Sequence, residues 1–260
     1  MQSVLKVFVT IVVLSLSLGA QSLQLKSGAG VWEASSDGTI TETINSTLQV
    51  VDNLESKELK GYLYIDLRHP LPLLPNVRFE YVDLHAKGEG KKSSINTSLF
   101  SVSLPSVAVQ SDLTLTQYDA IAYYNLLDAP IGITLDAGVS LKFVHSLYHV
   151  DTVSLDEAAD SMIPMLYLRG RYDLPVADLG VESDIKYITD GSSTVYDLRI
   201  KVDYTLEFIP LLHPGVELGY RQQGFDIDGE NSTLIAPILS GDTDTNIAFS
   251  GLYGGVTLNF

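Results

Sequence analysis

The chain has 260 residues, 45% of them hydrophobic, a formal net charge of -16 and no cysteine. That balance excludes a nucleic-acid binder, which needs a basic face, and does not suit an anionic membrane surface. The lack of cysteine removes disulfides, thiolate catalysis, cysteine-ligated zinc and the acylated cysteine of a lipoprotein.

Residues 1–20 read as a secretory signal: Lys6 supplies the positive end, Val7 to Leu18 the apolar core, and small residues follow. Cleavage is placed after Ala20, with a cut after Ser22 as the alternative. Residues 21–260 then form one domain of about 240 residues, a length that barrels reach undivided. Beyond the leader no uninterrupted apolar run is long enough to cross a bilayer as a helix, so a spanning chain would span as strands.

The mature chain opens on a short strand, 28–34, whose Trp32 suits a membrane interface. After a polar segment, Leu63, Ile65 and Leu67 alternate with Tyr62, Tyr64, Asp66 and Arg68, which is the period of a strand. The proline-rich stretch 69–76 cannot join a ladder and reads as a turn. It has a partial echo at 210–215, and short proline-bearing links also occur at 127–130 and 173–178. Longer polar links fall near 39–58, 88–111, 146–162 and 227–243, and Asp190 to Ser193 forms one brief link among them. Short turns on one side and long loops on the other are the asymmetry of an outer-membrane barrel, with the short turns in the periplasm.

The run HPLPLLPNVRFEYVDL from His69 to Leu84, the early GAGVW, the later LRGRYDLPV, the ELGYR of Glu217 to Arg221 and the aromatic end together carry a resemblance. The chain resembles a family of small outer-membrane β-barrel proteins of Gram-negative bacteria that has no established biochemical role. The resemblance covers essentially the whole mature chain and implies fold and location, with no catalytic motif to transfer.

Strands are expected at about 28–36, 60–68, 77–87, 112–126, 131–145, 163–174, 179–189, 194–208, 215–226 and 246–260. Each approaches the nine to eleven residues that a tilted strand needs to cross. The fold class is therefore all-β, a transmembrane antiparallel up-and-down β-barrel of about ten strands, with eight or twelve as alternatives. Twelve stays open because Phe100, Val102 and Leu104 alternate as a strand does, although 93–111 reads better as an extracellular hairpin extension.

The faces separate most clearly at 196–208, where Tyr196, Leu198, Ile200, Val202, Tyr204, Leu206 and Phe208 oppose Asp197, Arg199, Lys201, Asp203, Thr205 and Glu207. Tyr124, Tyr172, Phe208 and Phe260 fall near periplasmic strand ends, and Phe143, Tyr187 and Tyr196 near outer ones, as interfacial girdles do. By the same alternation the lumen should receive Asp136, Lys142, Arg169, Arg171, Glu182, Lys186, Arg199, Lys201, Asp203 and Arg221, together with Asp66, Arg68, Arg78, Glu80, Asp119, Asp173, Asp184, Asp197 and Glu217. Opposite charges on neighbouring strands can pair across a narrow interior, so the lumen is expected to be largely filled. Glycines 132, 138, 180, 219, 251 and 255 qualify this by leaving gaps. On face separation alone, Ile200→Arg should be costly and Lys201→Ala milder.

Catalysis is not expected. His145 and His149 lie four apart, which on a strand separates them by about 13 Å, too far to share a metal ion. His85, Asp83 and Asp151 complete the rim candidates, with no protease motif among them. The acidic runs at 156–157 and 226–230 lack calcium-loop spacing. The Asn-x-Ser/Thr sites at Asn45, Asn96 and Asn231 read as chance.

The chain closes on a strand whose Tyr253, Gly255, Leu258 and Phe260 resemble the carboxyl-terminal signal by which the barrel assembly machinery recognises outer-membrane barrels. The expectation is an outer-membrane protein surrounded by lipid, handled by that machinery during biogenesis, and free of cofactor, metal and nucleic acid. Its role is structural or surface-interacting, with extracellular loops as the contact surface. A narrow channel for small solutes is the alternative, and a rim-sited hydrolase the third reading.

Overall fold

A computed structural model of the chain describes residues 23–44, 48–71, 73–89, 94–97, 110–150, 155–174, 178–206, 212–229, 231–232, 235, 238–239 and 243–260. The leader and both candidate cleavage points lie outside them, as do Phe100, Val102, Leu104 and Phe208.

In chain order the strands are β1 (Gln24–Ile44), β2 (Leu48–Arg68), β3 (Asn76–Glu89), the short β4 (Ser94–Thr97), β5 (Gln110–Ala129) and β6 (Ile133–Val150). They continue with β7 (Leu155–Asp173), β8 (Leu179–Thr189), β9 (Thr194–Thr205), β10 (His213–Ile227) and β11 (Asp244–Asn259). Every strand pairs antiparallel with its neighbour, and β1 pairs with both β2 and β11, so the sheet closes. Ten strands make the wall. β4 pairs only with residues 48–51 of β2, as an attachment outside the ring. At the seam, Phe260 donates its N–H to the Leu25 carbonyl at 2.8 Å and accepts from the Leu25 N–H at 3.3 Å.

The ten expected strands are all present, but two expected links are not loops. The ladder between β1 and β2 runs without a break from Gln24↔Arg68 to Ile44↔Leu48, so most of 39–58 is hairpin. Likewise β6 and β7 pair up to Val150↔Leu155, so 146–150 and 155–162 are wall, while 151–154 lie outside the described residues. Their polar outward residues read as loop in the sequence, but a strand that stands in water has a polar outer face too. Crossing the bilayer needs about nine to eleven residues, so half of a 21-residue strand such as β1 stands beyond the membrane.

The polarity of the two faces inverts at that level. Below it, Phe79, Tyr118, Val139, Leu141, Ile200, Leu218 and Leu252 point outward into lipid, while Arg78, Glu80, Asp119, Lys142, Arg199 and Glu217 are buried inside. Above it the inside is apolar, with Leu84, Leu115, Val144, Phe225 and Phe249 buried, and the outward positions are Asp83, Thr116, His145 and Asp226. Outward-facing Tyr118, Phe143, Tyr187 and Tyr220 mark the change of level, and Tyr81 packs on Tyr118 at 5.2 Å between ring centroids. Tyr124, Tyr172, Tyr204 and Phe260 form the matching exposed set at the other end, beside the short turns and the carboxyl terminus. A closed ring with an apolar belt between two aromatic girdles is an outer-membrane barrel, and that is where this chain resides.

Trp32 departs from the expectation. It is fully buried in the lumen, under the Arg221 guanidinium at 4.8 Å from its ring, because its position on β1 shares the inward face with Gly28, Gly30 and Ala34.

Candidate functional site

The membrane-embedded lumen is a stack of paired charges, and the strand register creates it. Directly opposed residues include Asp119↔Lys142, Asp136↔Arg169, Arg171↔Glu182, Glu182↔Lys201, Asp184↔Arg199 and Lys186↔Asp197. Opposed inward residues of opposite sign meet as soon as the ladder forms.

At the periplasmic mouth, Arg169 donates to Asp136 at 2.6 and 2.8 Å and to Asp66 at 2.6 Å, while Tyr123 donates its hydroxyl to Asp66. Arg68 reaches Asp136 at 3.3 Å, and across the mouth Arg171 grips Asp203 at 2.6 and 3.1 Å and Asp173 at 2.6 Å. Lys26, which alternation does not place in the network, lies 3.6 Å from Asp203. Around these groups is a vestibule of about 420 Å³.

The middle layer closes the passage. Arg78 and Arg199 both donate to Glu80 at 2.6 Å, and Arg199 holds Asp184 at 2.8 Å. Lys201 lies 2.8 Å from Glu217 and 3.3 Å from Glu182. Glu217 also accepts the hydroxyls of Tyr62 and Tyr64 at 2.6 and 2.9 Å. The void at this level, between Trp32, Tyr62, Lys201 and Tyr253, is about 10 Å³. Such a space is at the lower limit for one water molecule.

Of the expected glycine gaps, those at Gly219 and Gly255 are filled by tyrosine rings and that at Gly180 by the Arg171 guanidinium. A Cβ on Gly219 would lie 2.7 Å from the Tyr253 ring, and one on Gly255 would strike the Tyr62 hydroxyl. Tyr62 and Tyr253 themselves meet edge to face at 5.5 Å.

In the upper layer Glu80, Asp119 and Asp197 bring carboxylate oxygens within 4.8 Å of one another, the spacing of a cation site. The Lys186 ammonium already fills it, contacting Asp119, Glu80 at 2.6 Å and Asp197 at 3.1 Å. Lys142 adds a contact to Asp119 at 2.9 Å, and Arg221 one to Asp197 at 2.7 Å. Gln223 donates to Gln117 at 2.6 Å and caps the charged stack. Above it the buried lining is mostly apolar, with Ser36, Ser146 and Thr245 interspersed.

The rim candidates are dispersed. His145 meets Asp160 at 2.7 Å on the outer wall between β6 and β7, and His149 shares that outward face. His85 lies 2.9 Å from Lys60 and 3.7 Å from Glu58 over the seam between β2 and β3, and Asp83 accepts from Thr116 at 3.0 Å. Asp151 lies outside the described residues. These groups face away from the lumen and do not converge. Of the four residues of the terminal motif, Tyr253 is buried in the lumen and Phe260 is exposed at the lipid-facing seam, while Gly255 and Leu258 are half-buried.

Alternation alone does not reveal the lumenal tyrosines or the apolar upper core. The signal was present, because apolar and polar positions exchange faces between Tyr81 and Asp83 on β3 and between Phe143 and His145 on β6.

No family model matches the chain, and no curated protein does. Among solved structures it is similar to the outer membrane protease OmpT from Escherichia coli at 11% identity, covering 94% of this chain and 100% of that one with a TM-score of 0.49. It is also similar to Neisserial surface protein A at 14% identity, 93% and 99% coverage and a TM-score of 0.37. The transport unit of the Escherichia coli autotransporter AIDA-I matches at 13% identity, 97% and 96% coverage and 0.39. No function passes from these proteins to this chain at such identities.

Proposed function

We propose that this protein is a non-conducting, non-catalytic outer-membrane barrel whose role is structural or surface-interacting, with its tall extracellular walls and loops as the contact surface. The observation that carries the reading is the middle layer of the lumen, where ion pairs and tyrosine rings leave about 10 Å³. An interior of ten strands is close to the size that side chains fill, far below that of a porin. The walls supply the exterior surface: β1 and β2 each run 21 residues and end well above the girdle. The absence of catalysis is supported by the placement of His85 and His145 on separate seams, each already paired with neighbouring side chains.

The test is conductance. Refolded protein, freed of contaminating porins and inserted in a planar bilayer, is expected to give at most small flickering events. Large stable steps would overturn the reading in favour of a solute channel.

A further inference from the structure

Because the middle layer closes the lumen, the vestibule of about 420 Å³ at the periplasmic mouth is a blind pocket. Its size is that of a small-molecule site. Its charged groups divide between two walls. On one, Arg68 ends β2, and Lys26 lies on β1 opposite Asp66, two positions from Arg68. Both cations are surplus to the pairs around them. Arg68 makes a single Nη2 contact, at 3.3 Å, with an Asp136 oxygen that already accepts the Arg169 Nε and Nη2 at 2.8 and 2.6 Å. Lys26 stands 3.6 Å from Asp203, which Arg171 already holds through both carboxylate oxygens at 2.6 and 3.1 Å. On the other wall, four strands away around the ring, Asp173 ends β7. Its Oδ1 accepts from the Arg171 Nε at 2.8 Å and Nη2 at 2.6 Å, and it shares that guanidinium with Glu182 and Asp203. The Asp173 side chain is 52% exposed, and those of Arg68 and Lys26 are 31% and 23% exposed. One wall thus has hydrogen-bond donors to spare, and the other has acceptors.

We propose that the vestibule is a periplasm-facing binding site for a zwitterion, an amino acid or short peptide whose free carboxylate rests on Arg68 and Lys26 and whose free ammonium rests on Asp173. The balance of charge decides the class. The bases Lys26, Arg68, Arg169 and Arg171 are set against the acids Asp66, Asp136, Asp173, Glu182 and Asp203, so a ligand of one sign finds no strong net field at the mouth. A ligand with both signs at separate ends meets both walls. The Asp136 contact engages Nη2 alone, so the Arg68 guanidinium can take a carboxylate through two parallel hydrogen bonds. Between the walls, Thr134, Thr205 and Asn259 line the space with polar groups suited to a peptide unit. The site binds from the periplasm and passes nothing outward, and it is independent of what the outer loops contact.

Calorimetric titration of refolded protein in dodecyl maltoside at low ionic strength tests this, with dialanine, N-acetyl-dialanine and dialanine amide as probes. Dialanine is expected to bind saturably and about tenfold or more tighter than either blocked form, since each lacks one charge-assisted contact. In Arg68→Gln it should bind no better than its amide, and in Asp173→Asn no better than its acetylated form. Lys26→Gln should weaken it severalfold. Heat-modifiable migration identifies the folded variants, and the comparison of probes on the wild type decides the matter even if a variant fails to refold. No binding of dialanine by the wild type, equal binding of the three probes, or an unchanged preference in both Arg68→Gln and Asp173→Asn would each overturn the proposal. Acetylated dialanine bound as tightly as dialanine would make the pocket a plain carboxylate site and would overturn the zwitterion assignment.

Discussion

At the scale of the residue, a buried ion pair is worth less for the attraction it supplies than for what its loss leaves behind. Lys201 is the only described lysine ammonium set between Glu182 and Glu217, at 3.3 and 2.8 Å. Its removal takes the ammonium from two buried carboxylates and leaves Glu217 with only tyrosine hydroxyls and Glu182 with the more distant Arg171 at 3.4 Å, so Lys201→Ala should lose about 3–5 kcal/mol. Ile200→Arg, placing a guanidinium in lipid midway between outward Tyr196 and Tyr204, should lose about 2–4 kcal/mol. Denaturant unfolding of refolded protein in lipid reads both. The ranking by face alone is thereby reversed, because it treats a lumenal lysine as solvated. Lys186 tests the same physics more sharply. Lys186→Met leaves Glu80, Asp119 and Asp197 facing one another, and adding Asp119→Asn, which removes one charge of each sign and leaves Lys142 near Asp197 and Gln117, should restore much of the lost stability. A double variant no more stable than Lys186→Met would show that repulsion among the carboxylates is not what the lysine offsets. Which residues face inward was legible from period two alone. Which acid each base meets was not, since partners such as Arg199 and Glu80 are 119 positions apart and meet only across the closed ring.

At the scale of the element, strand length and strand polarity are separate properties. β6 carries one uninterrupted alternation through 18 residues, yet its outward face is Leu141 and Phe143 in the membrane and His145 beyond it. Period two says strand throughout, and the solvent changes along its length. The last strand adds a function of its own. Phe260 closes the ring through two backbone hydrogen bonds to Leu25 and exposes its ring to lipid, so its contribution to packing is modest. If Tyr253, Gly255, Leu258 and Phe260 also serve as the assembly signal, deleting Phe260 should sharply lower the heat-modifiable protein in the outer membrane while leaving refolding from urea into detergent nearly intact. Equal losses in the two assays would assign the residue to packing alone.

At the scale of the whole molecule, closure sorts the charges. Nine acids are buried in the lumen, and ten of the sixteen lysines and arginines lie there if Lys26, Arg68 and Arg171 at the mouth are counted. The other 23 of the 32 acids are left with 6 bases, so the strongly negative balance belongs to the remainder of the chain while the interior is near neutral. A near-neutral, cross-paired interior gives an ion of either sign no uniform field to follow, in contrast to the single-sign rings of selective pores. The strand alternation, the ten crossings, the short periplasmic turns and the inward placement of the charges were legible in the sequence, because each follows from a local period imposed by lipid on one side. Only the closed ring shows that the lumen is shut by Tyr62 and Tyr253 over glycines, that Trp32 lies inside, and that the outer half is filled by an apolar core. Those features depend on which residues meet after the ring closes, and no local period encodes that meeting.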